Sequence, residues 1–269
     1  MNVKKLTPVA LTIAGSDSGG EAGIQADLKT FASLGVHGTC AVTAITAQNP
    51  KEITSIHVVP PGMVRDQLKS VFAAFSPAAC KVGMLYWPAN VREVQKFFHK
   101  RQLSLIVDPV IAATSGSRLL ERGALHELKK LFPIAMLITP NLPEAELILR
   151  RSIRSEEQMR DAAKALHEQF GCAALVKGGH LRGSKSAADI FFDGKTELLF
   201  TAPYIKGVAT HGTGCTYSAA ITAYLARGSS LPKAVQQAKE YITQAIAQRL
   251  RVGHYDVLNS FWADPPKMD

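Results

Sequence analysis

The chain is poor in cysteine and in long apolar runs, and each shortage excludes a class of protein. Only four cysteines occur in 269 residues, at positions 40, 80, 172 and 215. That wide spacing excludes a zinc ribbon and a Cys-x-x-Cys redox pair. Cys80 and Cys172 each open an apolar run and read as small core residues. None of the eight histidines has metal-ligand spacing of the HExxH kind, so a zinc enzyme is not expected. No stretch approaches the roughly 18–20 uncharged apolar residues of a membrane span. The amino-terminal segment begins with basic residues like a signal peptide, but its apolar part is short and lacks a small-x-small cleavage site. Gly15, Ser16 and Asp17 break it. It reads as a strand entering a loop, in a protein expected to be cytoplasmic. Internal repeats and low-complexity linkers are missing as well.

What is present describes a well-packed chain. Hydrophobic residues make up 46% and charged residues 20%, which excludes disorder as the main state. A chain of this length buries about 70–75% of its unfolded surface and fits one large domain over residues 1–269. The net charge of +9 attracts anions such as nucleic acid, acidic lipid or phosphorylated metabolites. The basic residues are scattered, with no long stripe and no interleaved aromatics, which favours a solvated surface over a nucleic-acid face.

Apolar, β-branched runs at Val9–Ala14, Ala41–Ala47, Ile53–Val59, Lys81–Met84, Leu103–Val107, Met136–Thr139, Ala173–Lys177 and Ile190–Phe192 read as strands. Helical spacing marks Ala22–Leu34, Met63–Phe75, Ala89–Lys100, Arg118–Leu131, Glu144–Arg150 and Glu156–Phe170, and two further helices at Thr213–Ala226 and Pro232–Gln248. Alternation of this kind implies βαβ units and a three-layer α/β/α domain with a mostly parallel central sheet. Ligands then bind at the carboxyl ends of the strands. The run Ile53–Val59 follows its predecessor so closely that it suggests an antiparallel edge.

Each strand exit carries a loop with chemical potential, and each has a plain structural alternative. The first, Gly15 to Gly23, is glycine-rich; its N–H groups either cradle an anion or simply form a flexible turn. It matches neither the dinucleotide fingerprint nor the P-loop. The loop after residue 177 comes near a P-loop, but its serine and lysine are in the wrong order. Asp108 either holds Mg²⁺ or ends a strand before proline. Glu144 stands three residues after Asn141, as a capping box requires, yet it would face the same cleft as Asp108. Lys177 reads as a point charge for phosphate or as a surface lysine. The sharpest signal is Thr210-His211-Gly212-Thr213-Gly214-Cys215-Thr216, a glycine-rich loop running into an apolar helix. Such a helix N-terminus is an anion site by geometry and dipole. Cys215 in its first turn is expected to have a lowered thiol pKa, fit for a base or a nucleophile; the alternative is a small packing residue. His211 reads as a cap or a packing residue.

As a set, AGSDSGGEAGIQADLKTFASLGVHGTCAVTAITAQN, KVGML, DPV, ITPNLPEAE, KGGH and THGTGCT resemble the hydroxymethylpyrimidine/phosphomethylpyrimidine kinases of thiamine biosynthesis, in the ribokinase-like superfamily. The motifs run in family order from residue 10 to about 226. The resemblance implies a homodimer and ATP- and Mg²⁺-dependent phosphoryl transfer to 4-amino-5-hydroxymethyl-2-methylpyrimidine and then to its monophosphate. It assigns Gln48 to the aminopyrimidine edge, where an amide offers donor and acceptor together, and Gly15, Asp27, Met84 and Val110 to the same pocket. Asp108 and Glu144 fall on the Mg²⁺–phosphate side, and Lys177 and Thr210 on the ATP phosphates. Gly212, Thr213, Gly214 and Cys215 fall on the anion hole, with Cys215 as base or orienter of the acceptor hydroxyl. One departure is Glu21, which replaces the third glycine of the family's SGGGAG and is expected to strain the loop or repel a phosphate. Competing readings are a pyridoxine/pyridoxal kinase, a catalytically silent pyrimidine- or nucleotide-binding protein, and, on charge alone, a nucleic-acid binder. The tail after Gly253 carries no motif; Phe261 and Trp262 are expected to pack on the domain or on a dimer partner. The segments ATSGSR and LRGSKSA are candidates for closing over the site.

Overall fold

Successive side chains along the central strands point to two different apolar layers, as the two-residue period of a strand requires. Leu11 and Ile13 enter one layer and Ala10 the other; Leu105 and Val107 oppose Ile106 in the same way. Strands buried on both faces need helices on both faces. A computed structural model describes residues 6–112, 119–179, 181, 186–205 and 211–263. In chain order they form β1 (Val9–Asp17), α1 (Gly23–Ser33), β2 (His37–Gln48), β3 (Ile53–Val58), α2 (Pro61–Ala74), β4 (Ala79–Val82), α3 (Pro88–Phe98), β5 (Ser104–Val107), α4 (Ala124–Lys129), β6 (Leu137–Ile138), α5 (Leu142–Leu149), α6 (Glu156–Phe170), β7 (Ala173–Lys177), β8 (Ser186–Phe192), β9 (Glu197–Pro203), α7 (Thr213–Ala226), α8 (Leu231–Ala247), β10 (Leu250–Val252) and β11 (Tyr255–Val257).

Nine of these strands build one sheet in the order β3-β2-β1-β4-β5-β6-β7-β8-β9. The run from β2 to β7 is parallel, while β3 at one edge and β8 and β9 at the other are antiparallel. Helices α2 to α6 cover one face, and α1, α7 and α8 the other. The fold is therefore the expected three-layer α/β/α arrangement, including its antiparallel β3 edge. Helix α7 is buried nearly all round and rich in alanine, which lets it lie against the middle of the sheet. No helix among the described residues is long and apolar enough to cross a membrane.

Local chemistry sets the helix ends. Asn141 and Glu144 close a full capping box on α5. Ser155 accepts from the N–H of Gln158 at the start of α6, and Gly171 ends that helix in the left-handed region. The helix expected over Arg118–Leu131 is shorter, because Gly123, at φ 85°, starts it late; residues 113–118, including Arg118, lie outside the described residues. Strands β9, β10 and β11 escaped the sequence reading. The last two are three-residue strands that show no period. Trp262 packs beside Tyr241 with ring centres 5.9 Å apart, whereas Phe261 remains 54% exposed.

A lysine and an aspartate lie wholly inside this apolar frame. Lys81 of β4 and Asp27 of α1 are both 0% exposed and meet at 2.5 Å, and Asp27 also accepts from Thr12 at 2.6 Å. Burial opposes the charge on Lys81, but Asp27 holds its ammonium above the ordinary lysine range. Removing one partner strands the other charge out of water. Lys81→Met alone is thus expected to lower stability by about 3–5 kcal/mol in urea unfolding, and Lys81→Met with Asp27→Leu to recover most of that loss.

Candidate functional site

The carboxyl ends of the parallel strands and the N-terminus of α7 enclose a cavity of about 510 Å³. Its chemistry begins with paired charges. Lys177, the last residue of β7, places Nζ 2.9 Å from Oδ1 of Asp108, just beyond β5. Asp108 also accepts from Thr139 at 3.0 Å and from Ser218 of α7 at 3.1 Å. Glu144 accepts from the N–H of Asn141 at 2.9 Å and of Ile111 at 3.3 Å. Burial and the nearby Asp108 push its carboxyl up to about 7, against the pull of Lys177. Lys177 stays above the ordinary lysine range because Asp108 and Glu144 outweigh its own burial. Toward β8, Lys239 of α8 lies 2.7 Å from Asp189, which also accepts from the N–H of Gly178 at 3.0 Å.

The loop before α7 has the backbone geometry that the expected anion hole requires. Gly212 precedes α7 at φ 77°, and a Cβ there would collide with the carbonyl oxygen of Glu21, so only glycine fits. Thr213, Gly214 and Cys215 supply the first helical N–H groups, which have no acceptor within the helix. Lys177 lies against Gly214: a Cβ on that glycine would stand 3.4 Å from its ammonium. The buried hydroxyl of Thr213 has no partner among the described residues.

Cys215 differs from expectation. Its side chain is partly exposed to the cavity, yet burial pushes the thiol up to about 11, and Lys81 recovers only part of that shift. Desolvation of the thiolate outweighs the helix field. The first glycine loop differs too: its N–H groups are not free for a ligand, because Asp17 takes them. Gly19, Glu21 and Ala22 donate to its carboxylate at 2.8, 3.1 and 2.8 Å. Burial opposes that charge, but these backbone bonds hold the carboxyl below the ordinary aspartate range. Glu21 has no left-handed backbone; the positive φ values nearby belong to Gly20 and Gly23. Nor does its side chain wall the cavity. The expected strain is absent.

Gly15, Gln48, Met84 and Val110 all reach the cavity wall, together with Asp108, Glu144, Lys177, Gly212, Thr213, Gly214 and Cys215. Asp27 does not reach it. It sits behind Lys81, which borders the cavity while remaining fully buried. Thr210 lies outside the described residues, as do His180, most of LRGSKSA and all of ATSGSR. Sequence reasoning missed Lys81, Asp17, Asp189 and Lys239 and gave His211 no role. A lysine inside the otherwise apolar ACKV strand was the available signal for Lys81.

Residues 17–259 match the family model for phosphomethylpyrimidine kinase. A hydroxymethylpyrimidine/phosphomethylpyrimidine kinase of Rhizobium meliloti is 45% identical over 252 residues, 92% of this chain and 94% of that one. The thiamine biosynthesis bifunctional protein ThiED of Geobacter sulfurreducens is 48% identical over 248 residues, 91% of this chain; the chain spans only 50% of that longer protein. Among solved structures, an ADP complex of Bacillus subtilis pyridoxal kinase superposes with a TM-score of 0.87 at 34% identity, covering 95% of this chain and 98% of that one. By the family model and by near full-length similarity to a curated relative, the chain belongs to the phosphomethylpyrimidine kinase family.

Proposed function

We propose that this cleft transfers the terminal phosphoryl group of ATP to the hydroxyl of 4-amino-5-hydroxymethyl-2-methylpyrimidine, and then to the phosphate of its monophosphate, with residues 1–269 working as one kinase domain. The observation that carries this reading is the meeting, in one cavity, of an acceptor wall and an anion hole. The wall comprises Gly15, Gln48, Met84 and Val110, and the hole is made by Gly212 to Cys215. Transferring phosphoryl groups have loose transition states, so positioning and preorganised donors do most of the catalysis. Lys177 and the N–H groups at the start of α7 converge where such charge would sit. Amide Gln48 offers a donor and an acceptor to the aminopyrimidine edge. Cys215, a neutral thiol near pH 7, orients the acceptor hydroxyl rather than acting as its base.

The donor set fits Mg²⁺. Asp108 and Glu144 bring two carboxylates to one cavity, and Mg²⁺ commonly uses one or two carboxylates with water and phosphate. These two residues would hold it, and bound Mg²⁺ neutralises charge on the nucleotide phosphates. A second reading, a pyridoxal kinase, draws on the structural similarity to the Bacillus subtilis enzyme. A homodimer in the cytoplasm completes the proposal; open edge strand β3 and the 54%-exposed Ile45 on its neighbour β2 suit a partner chain.

An ADP-release assay with ATP and Mg²⁺, offering the pyrimidine, its monophosphate and pyridoxal in parallel, tests the reading. Both pyrimidines are expected to turn over. Gln48→Ala should raise the acceptor KM about tenfold by losing its hydrogen bonds, and Cys215→Ala should lower kcat roughly 10²-fold by misplacing the acceptor hydroxyl. Turnover of pyridoxal alone would favour the second reading, and turnover of none would leave a silent binder. Alkylation of Cys215 by iodoacetamide, followed by peptide mapping, should run roughly 10²-fold slower at pH 8 than for a free thiol and keep rising beyond pH 10. A rate levelling off below pH 8 would restore the base role. Sedimentation at micromolar concentration should give twice the chain mass; a monomer there would remove the dimer.

A further inference from the structure

His211 sits immediately before the anion hole, but its ring turns away and joins the acceptor wall. Its Nε2 lies 3.0 Å from Nε2 of Gln48, at the end of β2, and 3.8 Å from Oδ2 of Asp17, at the end of β1. At the other end of the Gln48 amide, Oε1 lies 3.2 Å from Oγ1 of Thr46. That hydroxyl is itself 2.9 Å from the carbonyl oxygen of Ser16. The charged groups facing the ring among the described residues are Asp17 and Glu21, with Lys29 of α1 behind Glu21; β2 contributes the uncharged Gln48 and Thr46.

Counting protons along this chain gives two closed arrangements. In the first, which the placement of the Gln48 nitrogen against the ring favours, Gln48 donates an N–H to His211, so Nε2 carries no proton and the ring hydrogen is on Nδ1. The Thr46 proton is then shared between Gln48 and Ser16. If Nε2 gains a proton, donor faces donor. The amide must then turn over, so that its oxygen accepts from His211 and its nitrogen donates to Thr46, whose proton goes wholly to Ser16. Either arrangement leaves one N–H and one oxygen lone pair of Gln48 for the cavity, but in opposite spatial order.

We propose that His211 is a positioning residue for acceptor specificity: its protonation state sets which end of the Gln48 amide a bound ring meets. The proposal rests on the reading of the cleft as one that takes an aminopyrimidine. Such a ring offers an amino donor beside a ring-nitrogen acceptor, and only one order of the amide complements it. Neutral His211 holds that order, and protonation reverses it.

Two measurements test this. Long-range proton–nitrogen NMR on the full chain, without ligand, is expected to show the Nδ1–H tautomer of His211 at about pH 8, and side-chain amide signals of Gln48 that move with the ring's titration. An Nε2–H tautomer, or Gln48 signals indifferent to the titration, would overturn the proposal whether or not any pyrimidine turns over. The second measurement is the KM for 4-amino-5-hydroxymethyl-2-methylpyrimidine at saturating ATP, in wild type and in His211→Gln. A glutamine carbonyl can accept from Gln48 and gains no proton in this range. Any titration of the pyrimidine itself is common to both proteins, so the ratio of the two KM values isolates His211. That ratio should change about tenfold across the pH interval in which the NMR shows the ring gaining its proton, with the KM for ATP following one profile in both; a constant ratio would refute the proposal. Absence of pyrimidine turnover in wild type would count against the kinase reading alone, since the NMR outcome still decides the role of His211.

Discussion

Ionised groups removed from water govern this molecule, because each must be answered by a partner within hydrogen-bond reach. Three lysines come to the cavity wall, and each ammonium meets a carboxylate: Lys81 with Asp27, Lys177 with Asp108 and Lys239 with Asp189. The pairs come from different elements: two tie a strand to a helix of the layer formed by α1, α7 and α8, and the third joins the ends of β7 and β5. The same constraint explains the two oddities of the cleft. Burial, helped by the neighbouring Asp108, pushes Glu144 up to about 7, and burial makes Cys215 a poor thiolate although Lys81 pulls the other way.

Two glycine-rich loops of similar composition end with opposite roles. The first folds back on its own aspartate, so its N–H groups are satisfied before any ligand arrives. The second has no internal acid. It packs Gly212 against the backbone of Glu21 and leaves the start of α7 open toward Lys177. The loops thus touch each other, and His211 adds a side-chain link from the second to Asp17 and Gln48. The proposed acceptor wall and anion hole thus share one connected frame.

Where signals were local, the sequence was legible. Helices α6 and α7 and strand β7 were read to the residue, since Ser155, Gly171, the glycines before α7 and the bounded apolar run of β7 all act over a few positions. The capping box on α5 was read from the spacing of two residues. The short β10 and β11 carried no comparable period. Asp27 was placed at the acceptor wall by resemblance, yet the packing of α1 against β4 put Lys81 there instead.

The amino-acid sequence by itself therefore determined the order of elements, the α/β/α architecture, the family and most residues that reach the cleft, because periodicity, caps and motifs are properties of neighbours along the chain. Tertiary structure alone decided which charges are paired, that Asp17 closes the first loop, that the Cys215 thiol is raised and that His211 holds Gln48. Those outcomes depend on desolvation and on contacts between residues far apart in sequence, such as positions 48 and 211, and no local pattern encodes either.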